Sequence, residues 1–294
     1  MKILTPATSA NLGPGFDSLG LALKLYNEVA VSPQKFTSVS IVGEGSDKIS
    51  LRKNNTFINI FNQIVFELTG KHLNFKFSFT NNIPFSRGLG SSSSVIVSAI
   101  ALAYQISGFK TDRQQVLNRA LEFENHPDNI SPAVWGGFTA NVVHKGVVYS
   151  HKMDLSSDLM AVVVIPNNTM STKQSRGKLP KSYSMKDVVS NISHAAYLTA
   201  CFMSKDYTNL KIASIDKMHE EIRMQGLNEL FEIRELAYNN GALMSNLSGS
   251  GSSFLNLTYK DDANRLKDLL KQRFGDFRVE VFELDNNGFM ISQK

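Results

Sequence analysis

Phenylalanines at 75, 77 and 79 alternate with polar neighbours, and this period of two predicts a half-buried strand over residues 74–80. Strand-like runs are also predicted at 2–4, 19–32, 39–42, 138–143, 147–152, 242–247, 253–258 and 278–284. Residues 159–165 form a continuous apolar run that reads as a strand buried on both faces. Helical spacing appears where Ile60, Phe61, Ile64, Val65 and Leu68 recur, predicting a helix over 59–69 that stops at Gly70. Further helices are predicted at 91–106, 112–123 and 263–273, and the stretch 185–240 is mostly helical. Residues 5–17 are rich in Thr, Ser, Pro, Gly and Asn and read as a loop.

The order of elements mixes strands and helices without strict alternation, so an α+β fold is expected rather than a doubly wound one. The chain of 294 residues has room for two moderate domains, and the pattern places a boundary near 155, giving 1–155 and 156–294.

Composition narrows the function classes. A formal net charge of +5 suits an anionic small molecule, and no dense Lys/Arg run interleaved with aromatics points to nucleic acid. Cys201 is the single cysteine, which precludes an intrachain disulfide and fits a reducing, cytoplasmic setting. The first residues do not read as a signal peptide, and no apolar run has the length of a membrane span.

The candidate chemistry lies in four loop-like clusters beside these elements. In Pro84-Phe85-Ser86-Arg87-Gly88-Leu89-Gly90-Ser91-Ser92-Ser93-Ser94, glycines allow close backbone approach and the serines open a helix. Such a helix start offers unpaired N–H groups and a favourable dipole to phosphate, so the loop predicts nucleotide binding. No Lys follows the second glycine, which separates it from the commonest phosphate loop. Ser91 or Ser92 can add a hydroxyl ligand to a hard cation. In the cluster at 6–17, Asn11 can donate and accept hydrogen bonds and Asp17 can hold a substrate ammonium. At 124–129, Glu124 can hold Mg²⁺, and His126 and Asn129 can orient a substrate. Asp128 or Asn129 can instead cap a short helix, the reading favoured for Asp128. The fourth cluster, at 247–253, carries Gly249 and Gly251 between two strands and permits close approach to a ligand.

Together these clusters resemble the GHMP small-molecule kinases. Residues 84–92 match the motif P-x-x-x-G-L-G-S-S at each fixed position, with Ser93-Ser94 where the family usually has Ala-Ala. Within that superfamily the sequence resembles the homoserine kinase family: P-A-T-S-A-N-L-G-x-G-F-D at 6–17, H-P-D-N at 126–129, and S-T-x-x-x-R-x-x-L-P at 171–180. The resemblance covers residues 6–253, nearly the whole chain. It implies an N-terminal mixed sheet with helices, a C-terminal α/β sandwich, and ATP-dependent phosphorylation of L-homoserine in threonine biosynthesis. It also implies that the loop at 84–94 holds the triphosphate, that Ser92 and Glu124 set Mg²⁺, and that Asn11, Asp17, His126 and Asn129 form the amino-acid site. Arg176 and Arg234 would hold the substrate carboxylate, a task suited to a forked guanidinium. Asn129 would occupy the catalytic position where mevalonate-type members carry an Asp, so transfer would need no protein base. A homodimer follows by analogy. Another small alcohol as acceptor, or a non-catalytic ligand-binding role on the same fold, are the alternatives.

Overall fold

The computed structural model describes residues 1–293. In chain order the strands are β1 (Lys2–Ala10), β2 (Leu19–Pro33), β3 (Ser38–Gly43), β4 (Phe75–Asn81), β5 (Phe138–His144), β6 (Val147–Met153), β7 (Leu159–Ile165), β8 (Ala242–Leu247), β9 (Phe254–Tyr259), β10 (Arg278–Glu283) and β11 (Met290–Ser292). The helices are α1 (Ile49–Lys53), α2 (Thr56–Thr69), α3 (Ser91–Ile106), α4 (Arg113–Ala120), α5 (Pro127–Trp135), α6 (Thr172–Gly177), α7 (Met185–Ser204), α8 (Leu210–Ala213), α9 (Glu220–Met224), α10 (Glu229–Asn239) and α11 (Lys260–Arg273). None of them is long and apolar enough to cross a membrane.

The architecture is α+β with two sheets. The first runs β11-β1-β2-β4-β3, with β5 on β2 and β6 on β5. Its long β2 pairs β5 through Leu19 to Leu21 and β4 through Glu28 to Pro33, so one strand serves two neighbours. The pairing of β3 with β4 is parallel and the rest are antiparallel. The second sheet, β10-β7-β9-β8, is wholly antiparallel.

Three apolar clusters hold these layers. In the first, Phe75, Phe77 and Phe79 meet Phe57 and Phe61 of α2, with edge-on ring pairs at 5.2 to 6.0 Å, and α3, α4 and α5 complete the layer. Helix α2 starts at Asn55, whose side chain accepts from the Ile58 N–H, and ends at Gly70 with φ +67°. The second cluster joins the two sheets: Leu21, Leu23 and Phe138 from one meet Ala161, Val163 and Leu255 from the other, with Leu198 and Phe202 of α7 between them. The third packs α10 and α11 on the far face of the second sheet. Strand β7 explains its unbroken apolar run, since Ala161, Val163 and Ile165 enter the second cluster while Val162 and Val164 enter the third.

The structure departs from the periodicity at several points. Residues 5–10, expected as loop, continue β1 as a strand. Their polar side chains are buried but satisfied: Thr5 bonds Ser98 at 2.7 Å, Thr8 donates to Asn129 at 2.8 Å and Ser9 accepts from Ser248 at 2.8 Å. Such partners lie far away in sequence, so the polarity looked like solvent exposure. Helices α1 and α6 and strand β11 carry no strong pattern of their own, being only 5, 6 and 3 residues long.

Candidate active site

Five polar segments meet in a cleft of about 270 Å³: the loop into α3, the loop after β1, residues 124–129 into α5, residues 170–176 at α6, and the turn between β8 and β9. A larger, mostly apolar groove of about 1220 Å³ lies nearby between β5, β6 and α7 and carries none of this chemistry.

Gly90 caps α3 in the left-handed conformation with φ +67° and no side-chain capping bond, so the first N–H groups of a 16-residue helix stay available to an anion. A Cβ at Gly90 would collide with Oγ1 of Thr8, and one at Gly88 with the carbonyl oxygen of Ser248. Close packing on both sides therefore requires these two glycines, beyond their positive φ. The hydroxyls of the loop divide. Ser93 Oγ donates to Glu124 Oε2 at 2.7 Å. Ser94 Oγ donates to the Ser91 carbonyl at 2.9 Å and accepts from Asn27 at 3.0 Å. Ser92 is exposed and lines the cleft beside Ser91. Desolvation raises the Glu124 pKa, and a half-buried carboxyl with a single hydroxyl partner is suited to a hard cation. Among the described residues no three His, Cys, Asp or Glu side chains converge on a metal position, so a cation here would rely on Glu124, serine hydroxyls and phosphate oxygens.

Across the cleft, the loop after β1 is wound by residues with positive φ: Asn11, Leu12, Gly13 and Asp17. Asn11 braces it, accepting from the Asp17 N–H at 3.0 Å and donating to the Gly249 carbonyl at 3.0 Å. Asp17 receives a forked pair from Arg176 at 2.7 and 3.0 Å, and His126 Nδ1 lies 3.4 Å away. Burial lowers the His126 pKa, Asp17 opposes this, and Arg176 adds to it. Asn129 accepts the Thr8 hydroxyl through Oδ1, which leaves its amide N–H groups for the cleft. Asp128 sits in the first turn of α5 and accepts from the Asn129 N–H at 2.9 Å. Burial, reinforced by the negative charges of Asp17 and Glu124, pushes the Asp128 pKa up to about 8.

The structure corrects the expected carboxylate clamp. Arg234 does not line the cleft; its Nη2 donates to Glu220 at 2.6 Å and its guanidinium lies 5.6 Å over the Phe254 ring. Glu220 in turn accepts from the Leu247 N–H at 2.8 Å, so Arg234 supports the end of β8. Arg223 of α9 lines the cleft instead. Its Nη1 donates to the Gly249 carbonyl at 3.0 Å, while its buried Nε has no protein partner. Burial and the nearby Arg176 lower the Arg223 pKa. The Phe16 ring separates the two arginines, with guanidinium carbons at 5.0 Å for Arg176 and 5.1 Å for Arg223. Nothing in local periodicity marks Arg223, since a helix of five residues shows no face; both arginines precede the glycine turn, and only the fold separates them.

Two loop residues also leave the phosphate role. The Arg87 guanidinium is used on the carbonyls of Pro166, Phe85 and Asn167 at 2.7 to 3.2 Å, tying the loop to the second sheet. Ser94 is fully buried in the Asn27 network. Of the remaining loop residues, Leu89 anchors in the core and Phe85 lies beneath Lys48, 5.6 Å from its ring centre.

An uncapped helix start beside the Glu124 carboxyl, with Arg176 and Arg223 across the cleft, fits a small-molecule kinase of the GHMP class. The family model for the GHMP kinases N terminal domain matches residues 55–137. The chain is 72% identical to the homoserine kinase of Campylobacter fetus over 291 residues, covering 99% of each. It superposes on the crystal structure of homoserine kinase from Cytophaga hutchinsonii with a TM-score of 0.88 at 26% identity, covering 99% of this chain and 96% of that one. The mevalonate kinase of Methanococcus jannaschii, at 13% identity and a TM-score of 0.72 over 97% and 98% of the chains, shares the fold. The chain belongs to the homoserine kinase family.

Proposed function

We propose that the protein transfers the γ-phosphoryl group of ATP to the side-chain hydroxyl of L-homoserine, forming O-phospho-L-homoserine in threonine biosynthesis. The observation that carries this reading is the placement of Asp17, Arg176 and Arg223 around Phe16, opposite the start of α3. An amino acid brings one ammonium and one carboxylate. Its ammonium would take Asp17, and its carboxylate would take the guanidiniums of Arg176 and Arg223, exchanging with the internal Asp17–Arg176 pair.

The helix N-terminus and the backbone at Gly88 and Gly90 would cradle the phosphates. A magnesium ion held by Glu124 and Ser92 would neutralise charge on the transferred group. Asn129 would orient the acceptor hydroxyl through its free amide N–H groups. The hydroxyl oxygen attacks the γ-phosphorus, the bond to the bridging oxygen breaks, and the proton passes late to a phosphate oxygen. Asn129 is no base, and the buried Asp128 carboxyl spends Oδ1 on the Asn129 N–H. Positioning and charge neutralisation supply the catalysis instead. The lone, buried Cys201 supports a cytoplasmic site of action, and a homodimer by family analogy is tested by light scattering.

The test is ADP release with homoserine against mevalonate and galactose, using wild type and Arg223→Ala. Only homoserine is expected to be turned over. The variant is expected to raise the homoserine KM about 10- to 150-fold, with the ATP KM changed little, as for loss of a charge-assisted bond. Equal turnover of mevalonate or galactose would overturn the substrate reading.

A further inference from the structure

His219 touches neither the phosphate loop nor the residues proposed to meet the acceptor hydroxyl, yet it is fully buried beside the cleft. Its Nε2 lies 2.8 Å from the Gly13 carbonyl oxygen. A carbonyl only accepts, so Nε2 carries the proton and Nδ1 presents a lone pair. That lone pair faces Arg223 Nη1 at 3.2 Å, where a guanidinium only donates. Burial keeps the imidazole neutral by lowering its pKa, with Asp216 opposing and Arg223 adding to the effect. The ring also packs on Phe16 at 5.1 Å between centroids, on the residue that separates Arg223 from Arg176.

These contacts matter because α9 has only five residues and cannot by itself fix the end of a long arginine side chain. The Gly249 carbonyl supplies one anchor to Nη1 and His219 supplies the other. Through Gly13, the same imidazole reaches the loop that carries Asp17. It therefore links the ammonium side of the site to the carboxylate side.

We infer that His219 is a positioning residue for the amino-acid substrate: its neutral imidazole, donating to Gly13 and accepting from Arg223, aims the Arg223 guanidinium at the substrate carboxylate. This rests on the reading that Arg223 holds that carboxylate. Substituents separate the two bonds. Asparagine can keep an acceptor near Nδ1 and lose the Gly13 bond, whereas glutamine can keep a donor near Nε2 and lose the Arg223 bond.

The experiment is steady-state kinetics of wild type, His219→Leu, His219→Gln and His219→Asn with both substrates varied, alongside melting temperatures. Expected are a homoserine KM at least about tenfold higher in His219→Leu and His219→Gln, an ATP KM and kcat within about threefold of wild type, and substantial recovery in His219→Asn. If His219→Leu does not fold, His219→Gln against His219→Asn carries the comparison. Folded variants with unchanged homoserine KM overturn the inference, as do parallel rises for both substrates, which would mark a general structural loss. Wild-type protein that forms no phosphohomoserine overturns the functional reading itself, and with it the role of Arg223 on which the inference depends.

Discussion

At the scale of single residues, the two arginines ahead of the glycine turn have opposite fates. Arg223 lines the cleft, while Arg234 compensates a buried carboxyl. Glu220 is fully buried, and burial raises its pKa to about 7 against the pull of Arg234. Arg234→Ala is expected to cost about 3 kcal/mol of stability in denaturant unfolding, as for one partner removed from a buried pair. Its homoserine KM should change far less than that of Arg223→Ala. Asp128 offers a second residue-level prediction. Its folded pKa of about 8 lies above the ordinary 3.8, so its stabilising contribution is full below about pH 4 and is lost as pH rises through 8. Asp128→Asn is therefore expected to gain progressively on wild type between those values, by up to roughly 5 kcal/mol at pH 8, read as a Tm difference that widens from pH 4 to pH 8. Its kcat should stay within about tenfold, and a thousandfold loss in a folded variant that binds both substrates would reveal a base. Asn11, Asp17, His126 and Asn129, which line the cleft, stand out in the sequence because they crowd short polar runs. Their partners were not: the Asp17–Arg176 bond joins residues 159 positions apart.

At the scale of elements, the glycine-serine loop at 84–94 is held where a strand, a helix start and a turn are packed edge to edge. Thr8 of β1 lies against Gly90, and the Ser248 carbonyl against Gly88. Gly90→Ala is expected to raise the ATP KM at least tenfold, because the methyl displaces Thr8 and the left-handed φ costs about 1 kcal/mol outside glycine. Thermal melting with and without ATP checks this, the nucleotide-induced rise in Tm being expected to shrink. Helices α2, α3 and α11 and strands β4 and β7 were readable from periodicity, since each has a face or pair of faces against a defined layer. The second half of β1 was not, because buried hydroxyls satisfied by distant partners look, residue by residue, like an exposed loop.

At the scale of the whole molecule, the two sheets share one core. Phe138 of β5 stacks on Phe202 of α7 at 4.3 Å, and residues of β7 and β9 complete the same cluster. The cleft lies where β1, α3 and the β8–β9 turn converge, so its geometry depends on that shared core. Phe202→Ala is expected to cost about 3 to 5 kcal/mol, and both sheets should melt in one transition. Two separate calorimetric transitions in the wild type would show that the sheets unfold independently. The end of the described chain also returns to the first sheet, where Met290, Ile291 and Ser292 pair with Leu4, Ile3 and Lys2 of β1. The sequence alone determined the α+β class and the family, because local periodicity and short motifs are written in neighbouring residues. Tertiary structure alone decided that Arg223 rather than Arg234 lines the cleft, that Arg87 and Ser94 bond to the scaffold, and that His219 packs behind Arg223. Those outcomes depend on which side chains burial brings together across the two sheets, and no spacing along the chain encodes that.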